Sequence, residues 1–368
     1  MPVSGKSGYT WAMTSRERIL AAVAHVQPDR VPVDMTYAPE VKRRVMDHLA
    51  MDGPEFDRWS GQDMVGVHPR FPDPASGLAY ADPTIEVTTG GDCLDIWRVP
   101  FRPVRAGDQV YMELAGRPPL AGCRSIEELD EFPWPTPEMW DYSAIGAELD
   151  AHADMATRGH SRGFFEIAHF MRGMDNFLAD LALDPEFACA LMDHIIDYLF
   201  ARSRTLLEAG AGRYALFEYN DDIASQRSLF ISPEMWRRHI KPRVAAFCQL
   251  ARRFGAKLIY HCCGSPRAIL DDLIEIGMDI LNPVQPLAAG MDPFKLKQRY
   301  GDRITFDGGI DIQQLLPNAT AAEVRAHTRR MIDVVGRGGG YILGPSHAIQ
   351  SDVPTENVIA VIEEAQRA

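Results

Sequence analysis

Lys257-Leu258-Ile259-Tyr260-His261-Cys262-Cys263-Gly264-Ser265 is a short apolar run that ends in an imidazole and two thiols. Leu258, Ile259 and Tyr260 predict a buried strand, and Gly264 with Pro266 marks where it stops. A strand alternates its faces, so His261 and Cys263 share one face and Cys262 takes the other. An imidazole nitrogen and a thiolate sulfur converging at a strand end suit a borderline-soft metal such as zinc. The competing interpretation is packing, since free cysteine is commonly buried and a core histidine needs only a hydrogen-bond partner.

On either side of that run the same rhythm repeats. Strands are predicted around Val31, Val65, Phe165, Leu216, Leu258, Ile280, Ile304 and Ile342, each followed by a helix. Helix starts are punctuated: Thr14 with Glu17 reads as a capping box, and Ser232-Pro233 as an N-cap with Pro at the first helical position. Asp184-Pro185 opens a long helix that ends at Gly210. Regular strand–helix alternation predicts an α/β protein with a parallel sheet, and eight units predict a (β/α)8 TIM barrel. A doubly wound sheet is the alternative, but no Gly-x-Gly-x-x-Gly turn follows a strand. Residues 69–140 break the rhythm. They are rich in Pro and Gly, and short alternating pieces at Asp95–Pro103 and Gln109–Leu114 predict a β-rich segment inserted after the second strand. Residues 1–12 are expected to be a disordered lead-in, leaving residues 13–368 as the barrel.

The chain has 368 residues, 46% of them hydrophobic, which is enough for a full barrel core. A net charge of −13 leaves no basic excess to neutralise phosphates, which excludes a nucleic-acid surface. No run approaches the roughly 18 apolar residues of a membrane span. The six cysteines (Cys93, Cys123, Cys189, Cys248, Cys262, Cys263) are too thinly spread for a secreted disulfide framework, so a reduced, cytoplasmic protein is expected.

In a barrel the active site lies at the C-terminal ends of the strands. Residues expected there are Asp34, Tyr37, His68, His169, Glu218, Asp221, Asp222, His261, Cys263, Asn282, Gln285, Asp307 and His347. Catalytic zinc keeps about three protein ligands and one open position. His261, Cys263 and His347 are the expected ligands, with Glu218 as a further oxygen donor or as the partner holding His261. Asp221-Asp222 also reads as loop capping, and Asp307 before Gly308-Gly309 as a turn.

Several motifs together resemble the uroporphyrinogen decarboxylase superfamily. They are Met13-Thr-Ser-Arg-Glu-Arg-Ile-Leu-Ala-Ala22, Gln27-Pro-Asp-Arg-Val-Pro-Val33, Asp222-Ile223, Ile231-Ser-Pro-Glu-Met-Trp236, His261-Cys-Cys-Gly264, Asp307-Gly-Gly-Ile-Asp311 and Pro354-Thr-Glu-Asn357. The resemblance covers nearly the whole chain and implies a (β/α)8 fold. That superfamily divides into porphyrinogen decarboxylases and zinc-dependent, corrinoid-linked methyltransferases. The decarboxylases carry an early Arg-Gln-Ala-Gly-Arg-Tyr stretch, whereas this chain reads Asp34-Met-Thr-Tyr-Ala-Pro-Glu40. The methyltransferases carry His-x-Cys after a strand and a Cys after the last strand. This chain has His261-Cys262-Cys263, and His347 in place of the last Cys.

The resemblance therefore implies a zinc-dependent methyltransferase or demethylase. The methyl group would move between a small molecule (a methoxylated or methylamine-type compound, a thiol or a folate) and the cobalt of a corrinoid such as methylcobalamin. The Asp-x-His-x-x-Gly pattern of corrinoid carriers is missing from the chain, so the corrinoid would ride on a partner protein. Glu218 and Asp222 are the expected catalytic residues, and Tyr37, His169, Asn282 and Asp307 the expected substrate-binding residues. Members of the superfamily are often homodimers. The alternatives are a metal-independent decarboxylase of a uroporphyrinogen-like tetrapyrrole and a non-catalytic metal- or corrinoid-binding accessory protein.

Overall fold

The computed structural model describes residues 13–71, 83–106 and 109–367; the lead-in expected over residues 1–12 lies outside them. Among the described residues eleven strands form two sheets. One is parallel and seven-stranded, with spatial order β1 (Met64–Gly66), β6 (Ala156–Arg162), β7 (Leu216–Asn220), β8 (Lys257–His261), β9 (Ile280–Val284), β10 (Thr305–Ile310) and β11 (Tyr341–Pro345). The other is antiparallel, formed by β2 (Thr84–Val87), β3 (Cys93–Asp95), β4 (Pro100–Ala106) and β5 (Gln109–Leu114). The antiparallel strands fall between β1 and β6 in the chain, within the stretch where the composition shifts.

The parallel strands share one pattern: on one face the side chains run from apolar to polar along the strand. Ala156 gives way to Arg158, His160 and Arg162; Leu216 to Glu218 and Asn220; Ile259 to His261; Ile280 to Asn282. The apolar ends gather with Met64 and Ile342 into a small buried cluster. Ile19 and Val23 of the helix Ser15–Val23 complete it, so that helix plugs the N-terminal end of the curled sheet. Each such aliphatic side chain contributes roughly 1.5–3 kcal/mol by leaving water. The polar ends are thereby pushed to the opposite, C-terminal end. The larger apolar core lies outside this layer, between the strands' other faces and the helices, with Trp97, Trp236, Phe164 and Phe217 among its fully buried side chains.

The strand expected near Val31 is reduced to isolated bridges, with the Asp34 N–H donating to the Leu343 carbonyl at 2.9 Å and the Leu343 N–H to the Pro32 carbonyl at 2.8 Å. Val33 makes an isolated parallel bridge to Leu343, and its carbonyl accepts from the Asp63 N–H at 2.9 Å. Pro32 lacks an N–H donor, which limits the ladder this segment can form. Side chains add to the tethering: the fully buried Asp63 carboxylate takes Arg18 and Arg30, each at 2.7 Å, and the Val33 N–H at 2.8 Å.

The third strand differs from expectation. The strand read at Gly163–Phe170 is instead part of the helix Phe164–Arg172, and the strand is the preceding Ala156–Arg162. Phe164, Phe165, Ile167, Ala168 and Met171 are buried at helical spacing, with Glu166 and Arg172 on the polar side, so the apolar residues follow the 3.6-residue period of an amphipathic helix rather than the alternation of a strand. Elsewhere the expected punctuation holds. Thr14 and Glu17 form a reciprocal capping box, and Asp184 and Ser232 cap their helices.

Candidate functional site

Parallel pairing brings the polar strand ends side by side. His160 lies level with Glu218, Asn220 with His261, and His261 with Asn282. With Asp34, His68, Arg202, Asp222 and His347 they line a cavity of about 500 Å³ at the C-terminal ends of the strands. Trp140 and Tyr198 form part of its wall.

At one side of the cavity Asp222, His261 and Cys263 place one carboxylate oxygen, one ring nitrogen and one sulfur within 4.8 Å of one another. β8 supplies His261, the turn after it Cys263, and the loop after β7 Asp222. The turn is tight because Gly264, at φ +79°, lies where a Cβ would run into the backbone of Ser225. The Cys263 N–H donates to Asp222 Oδ1 at 2.7 Å, which locks the two loops together. Behind His261, its Nδ1 lies 2.6 Å from Asn282 Oδ1, and Asn282 Nδ2 donates to Asp307 Oδ2 at 2.7 Å. The amide thus offers its oxygen to the ring, so Nδ1 carries the proton and Nε2 keeps its lone pair, facing Cys263 Sγ at 3.8 Å. That is the arrangement a metal-ligating histidine takes. Burial, reinforced by the Asp222 charge, pushes the Cys263 thiol well up, a cost that a bound cation would reverse. The donor set fits a borderline metal such as zinc.

On the other side the cavity is cationic. Arg158 pairs with Asp34 at 3.3 Å and Glu218 at 3.0 Å, and Arg162 with Glu166 at 3.1 Å. Burial pushes the Glu218 carboxyl up, but Arg158 above all, and the nearby imidazoles only where they are protonated, outweigh it and hold the group below its usual range. Burial pushes His68 down to about 4 and His160 to about 3, with the neighbouring arginines adding to the effect, so both rings are neutral at pH 7. Asp34 and Asp307 are driven up by burial, and Asp34's charge drives Asp307 further.

Of the residues expected at the strand ends, Asp34, His68, Glu218, Asp222, His261, Asn282 and His347 line the cavity. Cys263 joins through the donor cluster. His347 lies outside the 4.8 Å group, on the loop after β11, and burial above all lowers its imidazole. Asp307 stands behind Asn282, and Gln285 accepts from the Gly264 N–H at 2.9 Å. Tyr37 and His169 are not among the cavity-lining residues. Tyr37 packs edge-on against Phe56 at 5.7 Å, and His169 sits on the helix Phe164–Arg172 with its ring 4.5 Å from that of Phe170. Asp221 caps that helix from outside, accepting from the Phe165 and Glu166 N–H groups at 3.3 and 2.9 Å and from the Tyr219 hydroxyl at 2.8 Å. A Cβ at Gly163 would overlap that carboxyl, which is why the residue before the helix is glycine.

Sequence reasoning missed Arg158, His160, Arg162, Glu166 and Arg202. The first three follow the period-2 spacing of β6, a signal available once the strand is set at residues 156–162.

A parallel α/β sheet with a polar, donor-lined cavity at its C-terminal end defines a protein of the TIM-barrel-like class. Within that class, a family model described as Uroporphyrinogen decarboxylase (URO-D) matches residues 118–368, and the chain belongs to this family. It is 27% identical to a "Methylated-thiol--coenzyme M methyltransferase" from Methanosarcina mazei, over 54% of this chain and 49% of that protein. It is also 27% identical to a "Uroporphyrinogen decarboxylase" from Thermus thermophilus, over 59% and 57% of the two chains. Identity to the "Methylcobamide:CoM methyltransferase MtaA" of Methanosarcina barkeri is 25%, over 46% of each. The matches thus span about half the length of these relatives. A solved structure, a "methyltransferase from Methanosarcina mazei", superposes with a TM-score of 0.64 at 18% identity over 96% of this chain and 99% of that one, a likeness of fold.

Proposed function

We propose that the protein is a zinc-dependent methyltransferase or demethylase that moves a methyl group between a small molecule and the cobalt of a corrinoid carried by a partner protein. The observation that carries this reading is the Asp222–His261–Cys263 cluster opening into the cavity, with the histidine fixed by Asn282 and Asp307. On this reading His261, Cys263 and Asp222 hold the metal, and His347, which stands where the family pattern has its last Cys, is a further donor. The fold is the (β/α)8 barrel, its eighth position taken by the Val31–Met35 segment, with residues 69–140 inserted after the second strand. None of the described helices is long and apolar enough to cross a membrane.

When bound, zinc supplies Lewis acidity that polarises the substrate's sulfur or oxygen and turns it into a better leaving group or nucleophile. The chain's own residues do the rest. Asn282 holds the His261 ring in the tautomer that presents Nε2. Glu218, ionised by Arg158 and 4.0 Å from His261 Nδ1, keeps the donor cluster's imidazole in a negative field. His68 and His160, kept neutral, line the cavity without adding charge.

Two measurements test this reading together. Metal analysis should find about one zinc per chain in the wild type, lost in Cys263→Ala and Asp222→Ala. Incubation with cob(I)alamin and a methoxylated or methylated-thiol compound should then yield methylcobalamin with the wild type only. A wild type that holds no zinc after zinc is added back would overturn the reading. The decarboxylase reading draws on the arginines of the cavity. Two of the three are neutralised by ion pairs with Glu218 and Glu166.

A further inference from the structure

We infer that the cavity takes a carboxylate-bearing, flat methyl donor or acceptor (a methoxylated aromatic acid is the simplest form), and that Arg202 holds its carboxylate. The inference deepens the methyl-transfer reading by naming the substrate class of the same site. Three arginines line the cavity, and two are spent: Arg158 on Asp34 and Glu218, Arg162 on Glu166. Arg202, from the helix Pro185–Gly210, makes no ion pair among the described residues. Its Nη1 donates to the His160 carbonyl at 3.1 Å, and its Nε is buried with no hydrogen-bond partner.

Nε itself is sealed from water, so a carboxylate would meet the guanidinium from the cavity side, where Arg202 lines the wall, and its negative charge would compensate a buried cation that has no ion-pair partner among the described residues. The guanidinium is also braced. It lies over the Trp140 ring at 4.5 Å, and the Trp140 Nε1 donates to the Tyr198 hydroxyl at 2.7 Å. Trp140 and Tyr198 then present a rigid aromatic wall beside the charge, a surface that suits a planar ring rather than a flexible chain. The donor cluster provides the other pole of the cavity, so a substrate with a carboxylate at one end and a methylated heteroatom at the other spans the two.

The probe pair is 3-methoxybenzoate and 3-methoxybenzamide, of nearly the same shape and differing in charge, titrated calorimetrically into zinc-loaded full-length protein. The wild type should bind the acid roughly 10- to 100-fold more tightly than the amide, the range of one charge-assisted hydrogen-bonded pair. Arg202→Gln should abolish that preference while zinc content and melting temperature stay unchanged. Arg202→Lys, which keeps a charge but loses the planar fork, should retain part of it and guards against a folding artefact in the glutamine variant. Equal affinity of the wild type for acid and amide would overturn the assignment, as would a preference that survives in Arg202→Gln. A preference for the acid in a protein that proves unable to demethylate it would leave the carboxylate subsite standing and overturn the methyl-transfer reading alone.

Discussion

β8 and β6 are neighbours once removed in the same sheet and build opposite sides of one cavity, yet they do so with different chemistry. β8 ends in His261 and leads into Cys263, ligand-type residues whose lone pairs need a cation. β6 projects Arg158, His160 and Arg162, cations and neutral rings that need anions. The first side is held together by backbone and amide hydrogen bonds, the Cys263 N–H to Asp222 at 2.7 Å and His261 to Asn282 at 2.6 Å. The second is held by ion pairs, Arg158 to Glu218 at 3.0 Å and Arg162 to Glu166 at 3.1 Å. A cavity with one pole for a metal and another for a negative group orients a substrate by its two ends, which is how positioning lowers a barrier before any chemistry begins.

The sharpest way to break this contrast is to remove the ligands on the β8 side. His261→Ala and Cys263→Ala should each abolish zinc binding and lower methyl transfer by more than the roughly 10- to 100-fold typical of partners standing behind a ligand. Atomic absorption and single-turnover formation of methylcobalamin read the two effects. If metal stays bound in both variants, the β8 side is packing and the contrast collapses. Next in size, Asn282→Ala should weaken zinc affinity by roughly 10- to 100-fold, because the ring of His261 is then free to turn and to change tautomer. Competition with a chelator measures this, and an unchanged affinity would remove Asn282 from the design.

A smaller effect belongs to the β6 side. Gly163→Ala forces a methyl group onto the Asp221 carboxyl that caps the following helix, and should destabilise the fold by about 1–3 kcal/mol. Denaturant unfolding reads the loss, and zinc content should not change. A loss of zinc in this variant would mean that the two sides are mechanically coupled rather than independent.

The two sides were not equally legible in the sequence. His261-Cys262-Cys263 stands out because imidazole and thiols at the end of an apolar run are uncommon, and alternation alone says which of them share a face. β6 reads Ala-Thr-Arg-Gly-His-Ser-Arg, with few apolar residues, because half its side chains line a polar cavity. The apolar helix after it therefore took the strand's place in the sequence reading, and His169 with it. Val31–Met35 was legible as a strand position but not as a short one whose few backbone bonds are supplemented by the Asp63 side chain. Asp222 was legible as a rim residue, but its approach to His261 and Cys263 depends on two loops meeting, which no local pattern encodes. Arg202 was hidden differently: the helix Pro185–Gly210 was predicted with its ends, yet an arginine on a helix ordinarily reads as a solvated face.

The smallest expected effect comes from acid and tests whether the β6 side keeps its rings neutral. His160 and His68 sit at about 3 and about 4 in the folded protein against an ordinary value of 6.5. The unfolded chain therefore binds more protons between those values, so the stability these rings allow is fully present above about pH 6.5 and is lost as pH falls through that window. Asp221 works in the opposite sense. Burial raises it to about 7 from 3.8, so the folded chain binds the extra proton and stability is lost as pH rises through that range. His160→Gln should make the fall in melting temperature between pH 7 and pH 5 shallower than in the wild type. Asp221→Asn should make it steeper, because the compensating slope is gone while the imidazoles remain. Three parallel curves would mean that these groups titrate alike in the folded and unfolded chain, and that the cationic side of the cavity is open to water rather than sealed beside its arginines.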